Sequence, residues 1–333
     1  MNCFSLNKVA FAMAVACFAA ATAAVHAQTG WKPEKNVEII VGTAAGSSPD
    51  KVARLIQKLW QDRNVLDVPT VIVNKPGGNN SIGWTYLNQH SGNGHYLMIG
   101  VVNLSLAYLT GVTRLSYRDV TPVSMLFHEY TALVVRSDAP YKSPADIIQI
   151  LKKDPNAVSL GVSTAAGGSN HLAAAMALSG AGVDVKKVRT VVFNAGGSSV
   201  TALLGGHVDM IALSPSVVIS HLNAGRLRAI ATVAPNRLSG VYADVPTFRE
   251  LGVKPYLSKY RAIIGPRDMN PEQIAYWEGR FNRLSGDSEW KKILDENGWE
   301  GQFMNSRDLE AFMDETHKEV EKALGELGML KKQ

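Results

Sequence analysis

Val37-Glu-Ile-Ile-Val41 runs directly into Gly42-Thr-Ala-Ala-Gly-Ser-Ser-Pro-Asp50, which opens onto Lys51-Val-Ala-Arg-Leu-Ile-Gln-Lys-Leu-Trp60. The order is strand, small-residue loop, amphipathic helix. Such a junction gathers free backbone N–H groups and the positive end of a helix dipole at one spot, so it holds an anion without needing a basic side chain. The chain repeats the device. Asn74-Lys-Pro-Gly-Gly-Asn-Asn-Ser-Ile-Gly83 follows the strand-like residues 70–73, Ser163-Thr-Ala-Ala-Gly-Gly-Ser-Asn-His171 follows 158–162, and Asn194-Ala-Gly-Gly-Ser-Ser199 follows 191–193.

Strand and helix signals alternate outward from these loops to both ends, which predicts an α/β fold with largely parallel sheets. Strands are expected over 37–41, 70–73, 96–102, 132–136, 159–162, 189–193, 210–213, 229–233 and 262–264. Ser143-Pro-Ala-Asp146 reads as a capped helix start, and 308–330 as a long surface helix. Ligands of open α/β sheets sit outside the carboxyl ends of the strands, where these loops collect. Two sheets facing each other would surround one cleft, suited to a small carboxylate.

Lys8 is the only charged residue ahead of an Ala-rich apolar run ending in Val25-His-Ala27, the layout of a secretory signal peptide over residues 1–27 with cleavage after Ala27. Both cysteines, Cys3 and Cys17, lie inside it. The exported chain would then hold no thiol, which excludes disulfides and Cys-ligated metal. Nearly half of the positions, 46%, are apolar, enough for a large core and two domains. The net charge of +5 becomes +4 when Lys8 is subtracted, with both signs interspersed, so nothing reads as a nucleic-acid track.

No His-Glu-x-x-His, phosphate loop or dinucleotide fingerprint is present, so no cofactor or metal is expected. Ser163 and Ser47 are the nearest approach to a hydrolase nucleophile, but neither sits in Gly-x-Ser-x-Gly. His171 reads as a helix-start residue, and Asp50 as a group that steadies its own helix start.

The series as a whole resembles the Bug family, the solute-binding proteins of tripartite tricarboxylate transporters. The segments carrying the resemblance are 41–54, Val73-Asn-Lys-Pro-Gly-Gly78 with Ile82-Gly83, 163–172, Ala202-Leu-Leu-Gly-Gly-His-Val-Asp209, Ala224-Gly-Arg-Leu-Arg-Ala229 and Asp244-Val-Pro-Thr-Phe-Arg-Glu-Leu-Gly252. Glu289-Trp-Lys-Lys-Ile-Leu and Asn297-Gly-Trp299 are most similar to the tricarboxylate-binding branch. The resemblance implies a two-lobed type II periplasmic-binding-protein fold with a central ligand cleft. Lobe one would span 28–127 plus 242–333 and lobe two 128–241, with two crossover strands near 133–136 and 229–234. It further implies a non-enzymatic periplasmic receptor that passes a di- or tricarboxylate, or a related organic acid, to membrane permease subunits; a trap that opens and closes works as a monomer, the state expected here. A sensor feeding a kinase is the alternative, and a serine hydrolase a more distant one.

By position, the loops implied to hold the inner carboxylate contribute Thr43, Ala45, Gly46, Ser47 and Ser48 on one side and Ser163, Ala165, Gly168 and Ser169 on the other. The first departs from the family's Pro-Gly-Gly run, and a non-glycine residue at positive φ there would be strained. Strand-end polar residues are candidates to read the outer end: Asn80, Ser81, Asn103, Ser105, Asn194, Ser198 and Ser214. Arg261 is a candidate partner for an outer carboxylate, since its fork fits that group.

Overall fold

The computed structural model describes residues 30–253, 257 and 259–331, so the leader expected over 1–27 lies outside the described residues. The chain opens with β1 (Val37–Val41), α1 (Ser48–Asp62), β2 (Thr70–Asn74), α2 (Ser81–Asn88), β3 (Tyr96–Gly100) and α3 (Asn103–Leu109). Next come β4 (Val120–Glu129) and β5 (Thr131–Arg136), separated by Tyr130 alone. After α4 (Pro144–Lys153) the alternation resumes with β6 (Leu160–Ser163), α5 (Ser169–Gly180), β7 (Thr190–Phe193), α6 (Gly196–Leu204), β8 (Met210–Leu213), α7 (Ile219–Asn223) and β9 (Leu227–Val233). The last elements are β10 (Lys259–Pro266), α8 (Pro271–Gly286), α9 (Ser288–Glu296), β11 (Glu300–Met304) and α10 (Ser306–Glu326).

Helix starts follow the local chemistry. Ser47 caps α1 by accepting from the Asp50 N–H, with Pro49 in the first turn. Ser143 and Asp146 each bond the other's backbone N–H ahead of α4, with Pro144 at its first position. Asn305 caps α10, which ends at Glu326, short of the expected 330.

Two sheets result, one of six strands ordered β11-β4-β10-β3-β1-β2 and one of five ordered β7-β6-β8-β5-β9. They are mixed rather than largely parallel. β2-β1-β3 and β7-β6-β8 are the parallel parts, whereas β10 runs antiparallel between β3 and β4, and β5 antiparallel between β8 and β9. The reason is connectivity: the chain leaves the first sheet at Tyr130, builds the second, then returns. β5 and β9 pair with each other inside the five-stranded sheet, so the switch between sheets falls at Tyr130 and again between β9 and β10.

Two strands lie outside the expected set. β4 is broken in pattern by Pro122, Ser124 and His128, and β11 is a largely exposed edge strand of Glu-Gly-Gln-Phe-Met. Aromatic packing fixes the neighbourhood of the last residues of β4. Phe127 stacks on Trp299 with ring centroids 4.4 Å apart, which brings the Trp299 indole beside Glu129.

Candidate functional site

Helix starts from both sheets converge on one cavity. Its lining includes the opening residues of α1 (Ser48), α3 (Asn103), α5 (Ser169) and α6 (Gly196), and its free volume is about 40 Å³, room for one small polar group. Each helix start turns unpaired N–H groups and the positive end of its dipole toward that space. A second, roomier cavity of about 340 Å³ adjoins it and shares Thr43, Asn80 and Thr164.

The inner cavity brings together Thr43, Ser47, Ser48, Asn80, Asn103, Ser163, Ser169 and Ser214 from the candidates named above. Asn194 lines the outer one. Ala45 and Gly46 are on the exposed side of their loop, and Ser105 is buried in α3 away from both cavities. Ser81, Ala165, Gly168 and Ser198 also line neither cavity. Ser198 has a local task, bonding the backbone N–H and carbonyl of Ala195 at the start of α6.

The first loop adopts its shape without the strain expected of a serine at positive φ. Gly46 takes the left-handed position at φ 78°, and Ser47 is extended at φ −84°. Asp50 steadies the turn by accepting from the Gly46 N–H at 3.0 Å, Arg54 Nε at 3.0 Å and Asn74 Nδ2 at 3.0 Å. Burial opposes its ionisation, but Arg54, Asn74 and the Gly46 N–H outweigh that and hold its carboxyl below the usual range. Strain sits across the cleft instead, where Thr164, a β-branched residue, has φ 75°.

Asn79 and Asn80 are also left-handed, at φ 50° and 79°, and both are buried. Asn103 Nδ2 donates to Asn79 Oδ1 at 2.6 Å, while Asn79 Nδ2 and Asn80 Oδ1 have no partner. Gly42 makes this packing possible, because a Cβ there would stand 2.8 Å from the Asn80 Cβ.

Beneath the inner cavity lies a buried charge cluster. Glu129, 0% exposed, accepts at Oε1 from Ser48 Oγ (2.6 Å), Trp299 Nε1 (2.9 Å) and Ser216 Oγ (3.3 Å). At Oε2 it accepts from Ser214 Oγ (2.7 Å) and forms an ion pair with Arg261. Arg261 also donates to the Tyr260 carbonyl at 3.0 Å and to Ser48 Oγ at 3.3 Å, and its buried Nε has no partner. Lys259 Nζ donates to Asn170 Oδ1 at 2.7 Å and to Ser214 Oγ at 3.4 Å.

Burial raises the cost of ionising Glu129, but Arg261, Lys259, Ser48 and Ser214 together hold its carboxyl below the usual range. Burial dominates at Lys259 and, with the like charge of Arg261, pushes its ammonium down to about 7 against the pull of Glu129. Two cations facing one carboxylate leave one positive charge in excess when Lys259 is protonated.

Glu129 and Lys259 were absent from the expected site, and Arg261 lies at the inner floor rather than the outer end. Lys259 and Arg261, two apart on a strand and so on one face, are charges at the start of the strand that continues as the apolar Ala262-Ile-Ile264. That spacing was the available signal. The hydrolase pattern is not assembled. Ser163 Oγ accepts from Asn170 Nδ2, Ser47 bonds Thr43, and His171 Nδ1 is occupied by the Gly167 N–H at 2.8 Å. Among the described residues no group of three or more His, Cys, Asp or Glu could hold a metal ion, and no helix is long and apolar enough to cross a membrane.

Comparison with known proteins gives this geometry a family. The UPF0065 protein in the gbd 5′ region of Cupriavidus necator is 24% identical over 329 residues, covering 98% of each chain. The structure of the periplasmic binding protein BugD has a TM-score of 0.81 at 20% identity, covering 90% of this chain and 100% of its own. An R. palustris protein solved with adipate has a TM-score of 0.80 at 23% identity, covering 89% of this chain and 98% of its own. The fold is therefore the two-lobed periplasmic-binding-protein fold. The family model described as the tripartite tricarboxylate transporter family receptor matches residues 52–329. The chain belongs to that receptor family and is a solute-binding protein, not an enzyme.

Proposed function

We propose that the protein is a periplasmic receptor that captures a small organic carboxylate and hands it to the membrane permease subunits of a tripartite tricarboxylate transporter. The observation that carries this reading is the excess positive charge of Lys259, Arg261 and Glu129 under a cavity walled by hydroxyls and helix starts. An unbalanced buried charge is unfavourable until it meets its opposite. A carboxylate in the inner cavity supplies that opposite and takes hydrogen bonds from the helix N–H groups and serines around it. The adipate in the similar R. palustris structure supports the ligand class.

In this reading the chain is exported and cleaved after Ala27. Residues 28–127 with 242–333 form one lobe and 128–241 the other, and a monomer opens and closes around its ligand. Isothermal titration calorimetry with citrate, succinate, malate, adipate and other organic acids, and with glucose as a neutral control, tests it. Saturable binding of an acid, together with loss of that acid's uptake on gene deletion, supports the proposal. Binding of the sugar alone, or of no acid, ends it.

A further inference from the structure

The charges are distributed unevenly along the cleft. Arg261 is the one ionisable side chain among the described residues lining either cavity, and it lies in the inner one. Lys259 stands just behind the same wall, touching Asn170 and Ser214, both of which line it. With Glu129 subtracted, the inner end has a single positive charge to offer. The outer cavity is walled by Gly42, Ala44, Pro76 and Gly77 and by the carboxamides of Asn79, Asn80 and Asn194.

Those carboxamides ask for something a carboxylate lacks. An ionised carboxylate only accepts hydrogen bonds, whereas an amide or a hydroxyl both donates and accepts. Asn79 gives its oxygen to Asn103 and keeps an unpaired N–H, while the buried Asn80 Oδ1 finds no donor within the protein. Unpaired buried polar atoms on two consecutive left-handed residues mark a place where a partner is missing. A carboxylate could accept from the Asn79 N–H, but it would bring no donor for the Asn80 oxygen and would enter the cavity without a cation to meet it.

We propose that the ligand carries one carboxylate, seated in the inner cavity, and an uncharged tail ending in an amide or hydroxyl, which occupies the outer cavity beside Asn79 and Asn80. This rests on the carboxylate-receptor reading of the same site and narrows it. Selectivity then comes from two ends of opposite character: a charge-matched floor and a neutral, hydrogen-bonding mouth.

Calorimetry on the whole protein with length-matched pairs tests the assignment: glutarate against its monoamide, and adipate against its monoamide and 6-hydroxyhexanoate. The neutral-tailed member of a pair is expected to bind at least about tenfold more tightly. A dicarboxylate that binds as well as its partner, or better, overturns the inference while leaving the carboxylate receptor standing. Failure of every acid in the series, with no acid found in the wider screen, removes both. Asn194→Arg then locates the tail, because position 194 is exposed and adds a cation at the outer cavity without disturbing the core. The variant is expected to raise dicarboxylate affinity by about tenfold relative to the neutral partner. An unchanged ratio shows that the tail lies elsewhere and overturns the placement.

Discussion

Lys259 Nζ lies 2.7 Å from Asn170 Oδ1, a hydrogen bond that ties β10 of the six-stranded sheet to the first turn of α5, which packs on the five-stranded one. Lys259 is thus both the source of the excess charge and a strut between the halves. Replacing it separates ligand affinity from stability. In Lys259→Met the remaining Glu129–Arg261 pair is balanced, so the melting temperature of the free protein should hold or rise. Carboxylate affinity should fall about tenfold, about 1.4 kcal/mol, because the variant removes the excess charge behind the cavity wall. Thermal melts beside calorimetry check both; an unchanged affinity would remove Lys259 from the site.

Glu129→Gln should behave in the opposite way. The variant leaves Arg261 and Lys259 buried together without the carboxylate that separates them. Breaking one partner of a buried ion pair costs about 3–5 kcal/mol, so urea unfolding should show a loss of that order with an unchanged slope. A loss under about 1 kcal/mol would mean that the cluster is far better hydrated than its burial indicates.

The Lys259 ammonium makes binding pH-dependent. Its folded-state pKa of about 7 lies below its unfolded value of 10.5. The protein therefore carries a destabilising contribution that is full below pH 7 and fades as pH rises toward 10.5. A bound carboxylate favours the charged form and raises this pKa, so above pH 7 binding should draw in a fraction of a proton, and affinity should weaken as pH climbs. Calorimetry at pH 8 in HEPES and in Tris reads the uptake from the difference in heats. Lys259→Met should abolish it.

If the two lobes close on the ligand as proposed, one position should block that closure. A Cβ on Gly168 would meet Ala165 O at 3.1 Å, Thr164 Oγ1 at 3.2 Å and, across the cleft, Asn79 Oδ1 at 3.4 Å. Gly168 is extended at φ −70°, so a larger residue is not excluded by the backbone. Gly168→Val should weaken carboxylate binding about tenfold or more with less than about 1 kcal/mol lost from the free protein. X-ray scattering should show the variant staying expanded on addition of ligand; compaction equal to wild type would contradict the prediction.

Thr164 stores strain where the two cavities meet. Its φ of 75° suits glycine, and a residue held in that region costs on the order of 1–3 kcal/mol. Thr164→Gly should raise stability by about 1 kcal/mol after the extra chain entropy of glycine is counted. Chemical denaturation checks this, and destabilisation would show that the Thr164 Oγ1 bond to the Ser163 carbonyl outweighs the strain.

The strand-loop-helix junctions at 41–50 and 163–171 were legible in the sequence because glycine, serine and a helix cap leave little conformational choice. The same reading found the helix box at Ser143–Asp146 and the serines that line the inner cavity. It did not find β4 or β11, whose patterns are interrupted by Pro122, Ser124 and the polar run Glu300-Gly-Gln302. It also missed Glu129 and Lys259. Each is charged at the end of a strand, where a solvated surface position is the ordinary expectation, and only the tertiary fold brings residues 129 and 259 together. Long-range charge pairing has no local period for a sequence to display.

The strand order has a consequence for how the molecule comes into being. β10 fits between β3 and β4, which end at residues 100 and 129, yet β10 itself begins only at residue 259. As the chain folds, the seam between β3 and β4 stays open until β10 joins, and β10 follows the whole of the second sheet in sequence. Contacts so distant along the chain make for slow assembly. The strand that closes this gap is also the one bearing Lys259 and Arg261, so Glu129 meets its counter-charges as β3 and β4 are joined. A chain caught before that point would have neither a finished core nor a site, and partial products should bind nothing.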